Sequence, residues 1–335
     1  MSTVAHAPSN PAPVTRPSFY SRGRNILRDS PVIPLIGLLV VLVVIFALLK
    51  PGFVTVNWGT TMVRQAIPLA ILAACQTIAM LTGGIDLSAA AIASMSGFLV
   101  ATIVGSVGLP AAIVISLACA ALAGLVNGIG IGVFRVHPLI MTLGMSLIVF
   151  GLANVWQVQR VQTGAGVPPE FRSLGAGTSF EVLPNSLLLF IPLAILLLLI
   201  LHRSGYGRLL YALGDNPVAA RLSGVRSWQV LIVLYVISGL LAGIAGFVFS
   251  GFVNQVSVSL VDLSLLPSVA AAVIGGTSIL GGRGGYGGTI IGALILTVAS
   301  ALLNALGFKE ADRLVLFGSI IIVFTAAYAR ITSDS

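Results

Sequence analysis

The feature that most limits what this chain can become is the recurrence of unbroken apolar runs as long as a bilayer is thick. Ile33 to Leu49 reads IPLIGLLVVLVVIFALL and Ser186 to Leu201 reads SLLLFIPLAILLLLIL, and comparable runs recur from Pro31 to just before Arg330. A helix needs roughly 20 residues to cross the hydrocarbon. Backbone groups must pair within the protein there, so a crossing segment is a helix or part of a closed barrel. Barrel strands alternate apolar with polar residues, and these runs do not. The expected fold is an all-α polytopic membrane protein. With 57% hydrophobic and 8% charged residues, against roughly 25% charged in soluble domains, a water-soluble surface cannot be built.

The net charge of +8 does not point to nucleic acid, because the basic residues are scattered between apolar spans. Cys75 and Cys119 stand alone in apolar segments and read as small packing residues. Residues 1–30, rich in Pro, Ser and Arg, are expected to be a disordered cytosolic tail. The first span is too long for a signal-peptide core. The expectation is that it stays in the mature protein.

Apolar windows and their Gly, Pro and charged interruptions predict about ten helices, near 31–49, 65–82, 87–105, 109–133, 138–157, 186–202, 228–250, 264–281, 287–306 and 313–329. Together they form a permease domain over 31–330, followed by a short cytosolic tail at 331–335. The eighth window is short and glycine-broken, and a re-entrant pair of half-helices is its alternative. With the N-terminus cytosolic, eleven basic residues fall on the cytosolic side and six on the other, which together are the 17 Lys+Arg of the chain. That bias favours both termini inside. Glycines at four-residue spacing, Gly124, Gly128 and Gly132, Gly239 and Gly243, and Gly284, Gly288 and Gly292, read as close helix packing. LAGLVNGIGIG at 122–132 faintly resembles LAGIAGFVFSG at 241–251, as an internal duplication would leave it.

No G-x-x-x-x-G-K-[ST] phosphate loop exists, since the only lysines are Lys50 and Lys309. Gly282 to Gly287 fits G-x-G-x-x-G, but no βαβ unit surrounds it. Asp86, Asp262 and Arg64 are the ionisable residues near spans; each is read at a span end, as an anchor or cap. Asp86 or Ser88 is expected to cap the helix that follows a tight turn at Gly83 and Gly84. In Arg203 to Trp228, Asn216 suits an N-cap, Pro217 the first helical position, and Gly224 a left-handed helix end. A short cytosolic helix is expected there. A helix this short needs support, and a partner is the stronger candidate because the chain holds no energy source.

Three strings, LTGGIDLSAAA, GRLLYALGDNPVAARLSGV and AAVIGGTSILGGRGGYGGTIIGALIL, resemble the permease subunits of bacterial ribose-type ABC importers. The likeness runs in order from about Thr55 to about Ala327. Ala90 and Asp215 stand where the family often has glycine. The resemblance implies an inner-membrane permease that binds no cofactor itself. Its partners would be a cytosolic ATPase carrying ATP and Mg, a periplasmic sugar-binding protein, and a second permease copy or sister permease. It also implies that Asp215, Asn216, Pro217, Ala220, Arg221 and Gly224 form the ATPase-coupling element. Gly84, Asp86, Ser88, Gly275, Gly276, Gly281, Gly282, Arg283 and Gly284 would be motif turns.

An ion-coupled secondary transporter is the alternative, and it would need a midplane ion site. A membrane enzyme would need convergent catalytic groups, yet His6, His137 and His202 fall in the tail and at loop edges. The solute path is expected among Gln76, Asn127, Asn154, Trp156, Asn254 and Asn304.

Overall fold

The computed structural model describes residues 32–160, 166–180 and 182–333. The tail expected at 1–30 lies outside these. Helices follow one another as α1 Val32–Leu49, α2 Val56–Met80, α3 Ala89–Val107, α4 Leu109–Gly132, α5 Pro138–Arg160 and α6 Pro169–Ala176. After a two-stranded antiparallel hairpin, β1 Thr178–Ser179 and β2 Leu183–Pro184, come α7 Ser186–Arg203, α8 Gly205–Asp215, α9 Pro217–Leu222 and α10 Ser227–Val253. A 3₁₀ turn at Asp262–Ser264 leads into α11 Leu265–Ile274, then α12 Tyr286–Ala305 and α13 Glu310–Ser333.

Among the described residues eight helices are long and apolar enough to cross a bilayer: α1 to α5, α7, α10 and α12. About ten spans were expected, and the described helices differ at the eighth window, the one read as glycine-broken. The window 264–281 is not one helix, because α11 stops after 10 residues. Gly276 takes φ +87°, a left-handed backbone that ends a helix, and glycine-rich chain continues to Tyr286. The helix expected at 65–82 begins nine residues earlier, at Val56, where the Thr55 hydroxyl accepts the Trp58 N–H at 3.2 Å. Arg64 therefore lies inside α2, and its guanidinium donates to the Ala176 carbonyl at 2.8 Å. The last helix continues past Arg330 to Ser333.

α2 sits at the centre, buried almost throughout from Ala66 to Met80, with α10, α11 and α12 packed around it. α1 buries only Phe46, and its long aliphatic side chains form an apolar outer face suited to lipid. On α4 the glycine pattern does what its spacing implies, whereas Gly284 lies in the turn before α12 with φ +121°. A Cβ on Gly124 would collide with the Tyr235 carbonyl, one on Gly128 would lie 2.6 Å from Ile232 Cα, and one on Gly132 2.9 Å from the Trp228 carbonyl. The two similar strings at 122–132 and 241–251 thus sit on α4 and α10, which run against each other. Gly128→Leu should lower stability toward the upper end of about 1–3 kcal/mol, because α4 and α10 must separate. Gly105→Leu, with nothing within 4 Å of its Cβ, should change it little. Unfolding midpoints of both purified variants in one detergent check this.

Candidate functional site

Between α2 and α3 the chain turns at exposed Gly83, with φ +77°, and then goes back inside. Met80 ends α2, and residues 81–88 climb back into the bundle before α3 starts at Ala89. The depth follows from partners. The Asp86 carboxylate accepts the Ser238 hydroxyl at 2.6 Å, and Ser238 lies 11 residues into α10, counted from Ser227. At about 1.5 Å per residue this is roughly 16 Å from that helix's start, near the middle of a hydrocarbon layer about 30 Å thick. Asp86 is 1% exposed. It stands at a helix end, three residues before α3, but deep in the bundle instead of at its surface. Local sequence reads Gly-Gly-Ile-Asp as a surface turn, and Gly83 is exposed, whereas the neighbouring helices hold Gly84 and Asp86 inside.

The interior cluster is held by side chains from four helices, α2, α4, α5 and α10, and from the segment that leads into α3. Asp86 also accepts the Ser88 hydroxyl at 2.6 Å and the Ser88 N–H at 3.0 Å, the latter a cap-like bond for α3. Gln76 of α2 clamps the Asp86 backbone, donating to its carbonyl at 2.8 Å and accepting its N–H at 3.2 Å. Asn127 of α4 donates to Ser88 at 2.8 Å, and Thr142 of α5 accepts the Leu87 N–H at 3.1 Å. All these partners are neutral. Nearby, a Cβ on Gly84 would lie 2.9 Å from the Tyr235 hydroxyl.

At the near end of the same segment three stretches meet backbone to backbone. The Gly282 N–H donates to the Leu81 carbonyl at 3.0 Å. A Cβ on Gly214, at the end of α8, would collide with that carbonyl. One on Gly281 would lie 2.8 Å from the Gly214 carbonyl, and one on Gly282 2.9 Å from Asp215 Cα. Tyr211 of α8 donates to the Gly284 carbonyl at 2.9 Å, and the Arg283 carbonyl accepts the Ser278 N–H at 3.0 Å while the Arg283 side chain is exposed. Gly275, farther up, presses on Gly288 and Thr289 of α12.

α9 hangs from this junction. The Asn216 side chain accepts the N–H groups of Val218 at 3.1 Å and Ala219 at 3.0 Å, Pro217 occupies the first turn, and Gly224 turns with φ +86°. Ala220 is buried against the bundle, whereas Asp215, Asn216, Pro217, Arg221 and Gly224 are exposed. Sequence reasoning missed α8, whose signal was Ser204 capping the Gly207 N–H and a buried face at Gly207, Leu210 and Leu213. It also missed α6, which packs on α10.

The six polar residues expected to line one path are not brought together. Gln76 and Asn127 belong to the Asp86 cluster. Asn154 bonds the Phe150 carbonyl of its own helix, and Trp156 donates to Thr102 at 3.0 Å. Asn254 caps α10 with φ +56°, and Asn304 is exposed near the end of α12. A cavity of about 310 Å³ at the other end of the bundle holds a different set, including Gln65, Phe249, Phe252, Ser300 and the Glu310–Arg313 ion pair.

A family model described as "Branched-chain amino acid transport system / permease component" matches residues 60–324. The chain is 34% identical to the ribose import permease of Bacillus subtilis (strain 168), over 87% of this chain and 90% of that one. It is 32% identical to the fructose import permease of Rhizobium meliloti, over 90% and 86%. It is 33% identical to a probable ABC transporter permease of Escherichia coli (strain K12), over 90% and 91%. No solved structure gives a significant match. The chain therefore belongs to the branched-chain amino acid transport system permease family, as a multi-pass permease of the ribose-type ABC importer group.

Proposed function

We propose that this permease moves a monosaccharide, with ribose and fructose the first candidates, inward across the bacterial inner membrane. The named activities of its relatives support the solute class. One structural observation supports the mechanism: the exposed α9 is joined through Gly214 and Asp215 to Leu81 and Gly282, at the foot of the segment that carries Asp86 into the bundle. A separate ATPase, carrying ATP and Mg, docks on α9 and Asp215. Its movement reaches the interior through these backbone contacts, which are too close to slip. The α9 end and both termini then face the cytosol, and a periplasmic binding protein delivers solute at the opposite end. A second permease, identical or sister, completes the assembly. The cavity with Phe249, Phe252, Gln65 and Glu310 offers the aromatic faces and hydrogen-bonding groups that a sugar ring uses.

The interior carboxylate gives the ion-coupled reading a specific group, so the test must separate the two. Permease reconstituted with its ATPase and binding protein should accumulate labelled ribose or fructose only with ATP. Accumulation under a proton or sodium gradient, with no ATPase present, would favour the secondary carrier.

A further inference from the structure

Beside α9 lies a second concavity, of about 400 Å³, with a different chemistry. Its walls come from the turn between α4 and α5, the end of α8, α9, and the start of α10. Three arginines line it, Arg135, Arg221 and Arg226, and no carboxylate does. Among the described residues none of the three forms an ion pair. The Arg221 Nε–H bonds only the Pro217 carbonyl of its own helix, at 3.1 Å. Arg135 holds φ +56°, an unusual conformation for a residue other than glycine. The hydroxyl of Ser227, also in the lining, is buried without a partner. Arg226, the N-cap of α10, has a donor-only side chain that cannot cap the first-turn amides, leaving the positive end of that helix dipole toward the pocket.

The site's level identifies its ligand. α4 ends at Gly132 and α10 begins at Ser227, so the pocket opens where two spans leave the hydrocarbon. Trp228, 45% exposed, lines it, and Val133 and Phe134 stand exposed beside Arg135. An interfacial tryptophan and apolar side chains next to unpaired guanidiniums suit a molecule with a phosphate head and acyl tails. Basic pockets between spans at a membrane surface bind anionic headgroups. We propose that this pocket binds the phosphate headgroup of an anionic phospholipid. Since Pro217 and Arg221 belong to the same wall, a bound headgroup also braces α9.

The test uses the full-length permease in neutral detergent with mixed phosphatidylglycerol and phosphatidylcholine, read by native mass spectrometry. Phosphatidylglycerol should be retained over phosphatidylcholine on the order of tenfold, as expected for two or more basic residues acting at a headgroup. The double variant Arg135→Gln/Arg226→Gln should lose that preference. Arg203→Gln, at the same end but outside the pocket, should keep it. Circular dichroism and size exclusion on the double variant show whether it remains folded. A conservative Arg135→Lys/Arg226→Lys variant should restore most of the preference. Three results would overturn the proposal. One is equal lipid retention by the parent and the double Gln variant. Another is displacement of the lipid by millimolar inorganic phosphate, which would mark a free-anion site. The third is no lipid preference in the parent, together with loss of ATPase binding in the Gln variant, which would make the pocket a protein contact.

Discussion

Asp86→Ala should destabilise the folded permease by about 2–4 kcal/mol. The magnitude follows from counting what loses a partner. Three donors reach the carboxylate: the hydroxyls of Ser88 and Ser238 and the Ser88 N–H. Interhelical hydrogen bonds in membranes average about 0.6 kcal/mol, because partners usually find alternatives. The two hydroxyls can do so, Ser238 by rotating toward its own helix. The Ser88 N–H cannot: it heads α3 with no preceding helical turn, and an orphaned buried donor costs about 1–3 kcal/mol. Loss of side-chain volume in a packed interior adds to this. Asp86→Asn, which keeps one acceptor and the shape, should lose less than half as much. Denaturant titration of both purified variants decides it. Equal loss in Asn and Ala would mean that charge, and not the acceptor geometry, holds the segment.

Gly224→Val and Arg221→Glu should each insert and fold, yet lose the ATPase. Gly224 has open space where a Cβ would go, so its substitution costs only the backbone strain of a β-branched residue at φ +86°, on the order of 1–2 kcal/mol. That strain is relieved by re-aiming α9, which has 6 residues and little stability of its own. Arg221 is exposed, and its reversal removes no buried contact. A like charge set against a docked partner can cost several kcal/mol, which changes association by more than tenfold. Both effects fall on coupling, whereas Gly128→Leu and Asp86→Ala fall on the bundle.

How much of this was legible depends on whether the cause was local. α1, α4, α5 and α7 were recognisable from apolar length alone, within a few residues of their ends. The short helix at Pro217–Leu222 was marked by its own cap and by Gly224. Gly124, Gly128 and Gly132 announced close packing before the partner helix was known. Depth was not legible. Nothing around Asp86 says that its loop folds inward, because that is set by Ser238, Asn127 and Thr142, each more than thirty residues away. One signal was overlooked: Asp-Leu-Ser at 86–88 recurs at 262–264, again just before a helix, and the adjoining Val261 N–H is taken by Ser94 inside the bundle at 2.9 Å. α8 was not expected, and its three glycines, Gly205, Gly207 and Gly214, lower local helix propensity, yet Gly207 and Gly214 are where other backbone comes too close for a side chain. The cavity with Phe249 and Phe252 draws its wall from elements far apart in sequence, and choosing polar residues by type could not assemble it.

In the function proposed above, α9 is where an ATPase takes hold of this permease. Co-purification tests it most directly: tagged permease, parent or Arg221→Glu or Gly224→Val, is isolated from membranes that also hold the ATPase, with permease amounts matched. The parent should bring down the ATPase and support solute-stimulated ATP hydrolysis, and both variants should bring down little and support none. Retention of the ATPase by both variants, with transport at the parental rate, would make Pro217–Leu222 only a connecting loop.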